Sequence, residues 1–237
     1  DSIINNINDK GSNVSARDVL LAAGVMSPLL QCLDSSPQNL SLQRIGSWAL
    51  SNLVEGRVQH QNKPGSSKDA SNKLGSMNCG NHHSGNEEIK IQSLLPTLRR
   101  LLYLADAEVL SYTCWTLSHL CDGPSSHIAA VVTSPDLNQV PGGLVPRLVE
   151  LLVHQSWRVT KPALRTIGNI VCAECGEDGN NNSAGGEHLD ISDSPAPPTD
   201  YTEVILDCGA VPRLKQLISH GNREIQKEAC WTLSNIA

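Results

Sequence analysis

Apolar residues recur along this chain at helical spacing, in short, medium and long runs that return as a set. Residues 16–24 (ARDVLLAAG) place apolar side chains three and four apart and close on a glycine, which predicts a short helix and its stop. Residues 25–33 (VMSPLLQCL) carry a second stripe of the same period. After the Ser35-Ser36-Pro37 turn, residues 39–54 carry a third and longer one. The pattern resumes over 89–104 and 107–121, then over 124–133, 143–154 and 158–172, and finally over 201–208, 211–219 and 224–237. Two tracts break it. Residues 57–87 and 176–198 are rich in Gly, Asn and Ser and poor in apolar side chains, so they are predicted to be disordered: they cannot bury enough surface to offset ordering. Residues 1–14 are polar and read as a tail or the end of a preceding loop.

The long helices share one marked position, occupied by Trp48, Trp115, Arg165 and Trp231 at intervals of 67, 50 and 66 residues. Removing about 25 residues of insert from the first and third intervals, and about eight of loop from the second, leaves roughly 42 each time, the period of armadillo and HEAT repeats. The predicted architecture is all-α: a right-handed α-solenoid of about four three-helix repeats of armadillo or HEAT type, with partial repeats at the ends. The units span 16–56, 88–122, 123–175 and 200–237 within one domain of residues 1–237, with inserts at 57–87 and 176–199. Each unit buries its apolar face only by stacking on its neighbours, and the third helices line one concave surface.

The marked position carries the candidate chemistry. Residues four apart share a helix face, so Trp48 points with Asn52 and Trp231 with Asn235. Ala49, Leu50 and Leu53 already supply a packing face, which leaves the Trp/Asn pair for another use. An indole can pack on the stem and head of a basic side chain, and a carboxamide can clamp a peptide unit through its donor and its acceptor. A single Trp on a helix is more often core than platform. Recurrence with an amide four residues on, at equivalent positions, favours a groove. Asn169 beside Gly168 could be a helix-packing site, but its register with Asn52 and Asn235 favours the groove as well. Trp157, just after a turn, reads as local packing, and Arg99-Arg100 as a solvated or convex face.

Composition narrows the ligand. The 237 residues include no Phe and only three Tyr, which suits aliphatic helix ridges, and the net charge of −6 favours basic partners over nucleic acid. There is no apolar run of 18 residues and no leader pattern, so neither a membrane span nor a signal peptide is expected. The chain has no initiator Met and stops inside a helical pattern, so it reads as a fragment. Most of the eight Cys sit at apolar helical positions, where thiols act as small hydrophobes. Cys172-Ala-Glu-Cys175 has zinc or redox spacing, but no second such pair follows, and His82-His83 would complete a site only by chance. No metal or cofactor is expected. No GxSxG, P-loop, HExxH or dinucleotide fingerprint is present, so no enzyme is expected.

Several stretches together resemble importin-α. They are Trp48-Ala-Leu-Ser-Asn52, Cys114-Trp-Thr-Leu-Ser-His-Leu-Cys-Asp-Gly-Pro124, Leu144-Val-Pro-Arg-Leu-Val-Glu-Leu-Leu152, Pro162-Ala-Leu-Arg-Thr-Ile-Gly-Asn-Ile-Val171 and Lys227-Glu-Ala-Cys-Trp-Thr-Leu-Ser-Asn-Ile236. Their order matches that family's central armadillo repeats, the fourth through seventh of ten, and covers nearly the whole chain outside the inserts. The resemblance implies a nuclear-import adaptor, shuttling between cytoplasm and nucleus, that holds basic nuclear localisation signals of cargo proteins in extended form. It implies importin-β as a partner, through an N-terminal segment missing from this chain, and no direct contact with nucleic acid. By position, Trp48 and Asn52 close the major site, while Trp231 and Asn235 open the minor one with Glu228 facing a basic side chain. Trp115 with His119 forms an intermediate pair, Arg165 with Asn169 separates the two sites, and Glu108 faces the signal's lysines. The chain departs from the family at Ile45 (usually Asn), Tyr112 (usually acidic), His119 (usually Asn or Tyr) and Glu55 (usually Arg). A second reading follows from those departures: an armadillo scaffold whose groove has drifted to a non-basic peptide.

Overall fold

The computed structural model describes residues 15–55, 90–134, 143–172 and 201–237, and among them it contains eleven helices and no strand. The first unit holds α1 (Ala16–Ala22), α2 (Met26–Ser35) and α3 (Leu40–Val54). The second holds α4 (Ile91–Leu102) and α5 (Ala107–Cys121). The third holds α6 (Ser125–Thr133), α7 (Val145–Leu151) and α8 (Trp157–Cys172), and the fourth α9 (Tyr201–Asp207), α10 (Ala210–Ile218) and α11 (Arg223–Ile236). These are the short, medium and long helices of the pattern, with ends moved by at most three residues. The tracts at 57–87 and 176–199 lie outside the described residues.

The long helices stack in sequence: α3 on α5, α5 on α8 and α8 on α11. One continuous apolar core runs from Leu30 to Ala229 and includes Leu33, Leu50, Leu98, Leu117, Leu148 and Ile167, all fully or almost fully buried. The long helices α3, α5 and α11 start on a polar cap. Asn39 Oδ1 accepts from the Leu42 amide, Asp106 from those of Glu108 and Val109, and Asn222 from that of Glu224, satisfying donors with no partner inside the helix. Gly143 takes a left-handed φ of +61°, and a Cβ there would lie 2.3 Å from the Val131 carbonyl oxygen, so only glycine fits this approach to α7.

The α5–α8 contact shows how the repeats are registered. Pro162 has no amide hydrogen, so the Arg158 carbonyl one turn earlier lacks its helical donor. The Ser111 hydroxyl of α5 donates to that carbonyl at 2.9 Å. Further along, Thr166 donates to the Cys114 carbonyl at 3.2 Å and Asn169 to the Ser118 carbonyl at 3.0 Å.

Three sequence expectations need correction. Arg99 is buried and donates to Ser134, and Arg100 donates to the Leu33 carbonyl, Asp34 and Gln43; both arginines therefore join units rather than face solvent. The final carbonyls of α2 lack helical donors, and a guanidinium satisfies one of them. Trp157 is not locally packed: as the first residue of α8 it is exposed, with the Arg158 guanidinium 6.0 Å from its ring. Cys172 is disulfide-bonded, while Cys32, Cys114, Cys121, Cys208 and Cys230 are free.

Candidate functional site

Four levels, one per long helix, carry the predicted site residues. On α3, Trp48 is 49% exposed and Asn52 is also exposed, while Ser47, Leu50, Ser51 and Leu53 are buried. The inner face of α3 is held close to α2 by Gly46, where a Cβ would come within 2.5 Å of the Leu33 side chain. Ile45, three residues before Trp48 and on the same side, is 62% exposed. Among the described residues no ring or guanidinium lies on Trp48 and no hydrogen bond reaches the Asn52 amide.

The α5 level is different. Trp115 is half-buried, and its ring stacks on that of His119 with centroids 5.9 Å apart and planes 23° from parallel. Burial lowers the His119 pKa below its ordinary 6.5, against the opposing pull of Glu55 and Asp122. Glu108, at the start of α5, is exposed but not idle: Arg44 of α3 approaches it at 3.2 Å while also gripping Asp106 through both carboxylate oxygens.

At the α8 level, Asn169 is buried and its amide donor is used on Ser118, so this residue serves helix packing. Arg165 reaches across to α11. Its Nη2 donates to Glu228 Oε2 at 2.8 Å, and its Nε stands 2.5 Å from Oε1 in an ion contact not aligned as a hydrogen bond. The same guanidinium lies 5.0 Å from the centroid of the Trp231 ring.

The α11 level is therefore already occupied. Glu228, expected to face a ligand's basic side chain, is buried and faces Arg165 instead. Burial raises its carboxyl pKa, partly offset by Arg165 and Lys161. Trp231 is half-buried because its ring crosses Gly168 of α8, where a Cβ would sit 2.2 Å from ring atom Cζ3. Asn235 is half-buried, and its Nδ2 makes no hydrogen bond among the described residues.

A charge register that single-helix reading overlooks links these levels. Arg44 and Lys161 each sit four residues before a marked position, and Glu108 and Glu224 each sit seven before the next one. Arg44 meets Glu108 at 3.2 Å, and Lys161 meets Glu224 at 3.8 Å. Among the described residues no group of three or more His, Cys, Asp or Glu could hold a metal. No single described helix is long and apolar enough to cross a membrane.

The family model for the Armadillo/beta-catenin-like repeat matches residues 198–237. Over 224 residues the chain is 35% identical to importin subunit alpha-1a of Oryza sativa subsp. japonica, an alignment that covers 93% of this chain and 31% of that protein. The chain is an armadillo-repeat relative of importin subunit alpha. Importin subunit alpha-3 of Arabidopsis thaliana is 34% identical over 216 residues, covering 91% of this chain and 30% of its own. The chain thus spans about a third of the length of these relatives. A computationally designed armadillo repeat protein for modular peptide recognition superposes with a TM-score of 0.59 at 23% identity, over 92% of this chain and 67% of the design. That likeness establishes the fold: the importin-α-related chain is an all-helical armadillo solenoid.

Proposed function

We propose that this importin-α relative binds basic, extended peptide segments of the nuclear-localisation type along the surface of its long helices, as an import adaptor moving between cytoplasm and nucleus. Importin-β would be its transport partner, and cargo proteins would supply the peptide. The observation that carries the reading is the exposed Trp48/Asn52 pair on α3, in register with the marked residues of the other three levels. An aromatic face over a Lys or Arg stem contributes ~0.5–2 kcal/mol, and an amide with both functions free can hold the peptide backbone whatever the side chain. Trp115, His119, Glu108 and Asn235 would border the path, with Arg165, Asn169, Glu228 and Trp231 shaping its far half.

Calorimetry of a chain with its flanking repeats against a bipartite Lys/Arg-rich peptide tests the proposal. Binding that weakens with salt, and weakens further in Trp48→Ala and Asn52→Ala at intact fold, is expected. Equal affinity in both variants contradicts it. A scaffold reading, with a non-basic peptide in the groove, is favoured by the exposed Ile45 beside Trp48 and by the Arg44 pairing of Asp106 and Glu108. Tighter binding of a neutral, aliphatic-rich peptide than of the basic one would decide for it.

A further inference from the structure

We propose that the edge formed by the turns leading into α5 and α8 is a second docking surface, and that it takes an acidic protein segment with aromatic or aliphatic side chains between its carboxylates. Trp157 at this edge stands eight residues before Arg165 on α8, about 12 Å along the axis from the line of marked positions. The inference therefore does not depend on how the long-helix groove is used.

Contacts between α5 and α8 advance in the same direction along both helices, from Ser111 with Arg158, through Cys114 with Thr166, to Ser118 with Asn169. The two helices run parallel, so the turns that lead into them share one edge. Three large apolar side chains stand open there: Tyr103 at 59%, Val153 at 52% and Trp157 at 46%. Tyr103 and Val153 each lie four residues before the first residue of their long helix, where the first unit has Ser36 and the fourth has Ser219. That row is apolar only in the two middle units. The turn carrying Trp157 is firmly held: the Ser156 amide donates to His154 Nδ1 at 3.0 Å, and the Thr160 hydroxyl donates to the His154 carbonyl at 3.3 Å.

Single exposed apolar residues are ordinary on a protein surface. Here three stand on adjoining turns with two guanidinium groups against them, the Trp, Tyr and Arg composition of interface centres. The Arg147 guanidinium lies 5.1 Å from the Tyr103 centroid and donates to the Leu102 carbonyl and to Glu150. The Arg158 guanidinium lies 6.0 Å from the Trp157 ring and meets no carboxylate among the described residues. Two guanidinium groups against the one carboxylate of Glu150 leave this edge positive on a chain of net charge −6, so its complement is acidic. Arg158 is open to a partner's carboxylate, and the three apolar side chains call for apolar residues beside it. An anionic lipid surface fits less well. The Glu150 side chain, 54% exposed, would face lipid phosphates, whereas a peptide can set an apolar residue against it.

Fluorescence polarisation with a labelled peptide of repeated Asp-Leu-Glu-Phe tests the surface. The wild type is expected to bind it, and Trp157→Ser and Arg158→Glu each to weaken binding about tenfold or more at an unchanged melting temperature, as loss of an interface anchor does. Glu150→Gln releases Arg147 from its internal carboxylate and is expected to tighten binding about two- to fivefold. An Asn-Leu-Gln-Phe peptide and an all-Glu peptide are each expected to bind at least about tenfold more weakly than the probe. A reading that needs no variant is the Trp157 indole N–H resonance, which is expected to shift on adding the probe to the wild type. Equal binding of either control peptide, unchanged affinity in Trp157→Ser, weaker binding by Glu150→Gln, or a silent Trp157 resonance each overturns the proposal. So does binding of the wild type, but not of Trp157→Ser, to phosphatidylserine vesicles or to a second copy of the chain when the probe peptide does not bind.

Discussion

Trp48 on α3 and Trp231 on α11 each precede an asparagine by four residues in nearly the same local sequence, yet their surroundings are opposite. Trp48 stands 49% exposed beside an exposed Ile45, with no acid at the position where α11 has Glu228. Trp231 lies on Gly168, pairs with a buried carboxylate, and has a guanidinium over its ring. The surroundings of Trp231 come from the preceding long helix: α8 supplies Arg165 and Gly168 to α11. The Trp231 level is thus specified by two repeats, its own and the one before.

The contrast can be broken hardest at Glu228. Glu228→Ala leaves Arg165 without its main partner in a largely buried setting and is expected to cost about 3 kcal/mol, the lower part of the range for a broken buried pair because Arg165 is partly exposed. The matching change at the other end, Asp106→Asn, keeps an N-cap on α5 and removes only the pairing with solvent-exposed Arg44, so a much smaller loss is expected. Urea unfolding of both variants measures the difference; equal losses would erase it.

Gly168→Ala tests the Trp231 side more gently. The added methyl overlaps the ring and is expected to cost about 1–3 kcal/mol, as overpacking does, and to shift the Trp231 fluorescence. Gly221→Ala, at a site with open space around it, is the control.

The pH dependence of the two ends has opposite sign. The Glu228 carboxyl is held above its ordinary 4.5, chiefly by burial, so its contribution to stability is greatest below that value and is lost as pH rises through the folded one. Asp106 is held below its ordinary 3.8, first by the Arg44 hydrogen bond, so its contribution is present above that value and is lost as pH falls through the lowered one. Melting temperatures of Glu228→Gln and Asp106→Asn relative to the wild type, followed from neutral to acid pH, are expected to move in opposite directions. The smallest effect belongs to His119 on α5. Burial lowers the His119 pKa, so stability falls as pH drops from 6.5 through the folded value, and His119→Asn is expected to flatten that slope.

Much of the fold was readable from periodicity. The three-helix sets, the interval between marked positions and the Gly stop near 24 come from short-range patterns that local rules capture. The Trp48/Asn52 pair was readable too, because i and i+4 lie on one face of one helix. What escaped were the contacts between helices. Arg99 and Arg100 look like a solvated pair until α2, α3 and the end of α6 are placed around them. Asn169 shares the register of Asn52, but the Ser118 carbonyl of α5 claims its amide. Glu228 and Arg165 lie 63 residues apart, and nothing in either helix announces that each completes the other. The pairing of Arg44 with Glu108 and of Lys161 with Glu224 was present as a repeat-to-repeat offset, visible only once the helices are read side by side.

The most direct test follows the four tryptophan indole N–H resonances by NMR during titration of the wild type with a Lys/Arg-rich peptide and, separately, with a neutral peptide of the same length. The Trp48 resonance is expected to shift with the basic peptide and not with the neutral one. A silent Trp48, or an equal shift with the neutral peptide, would contradict the account.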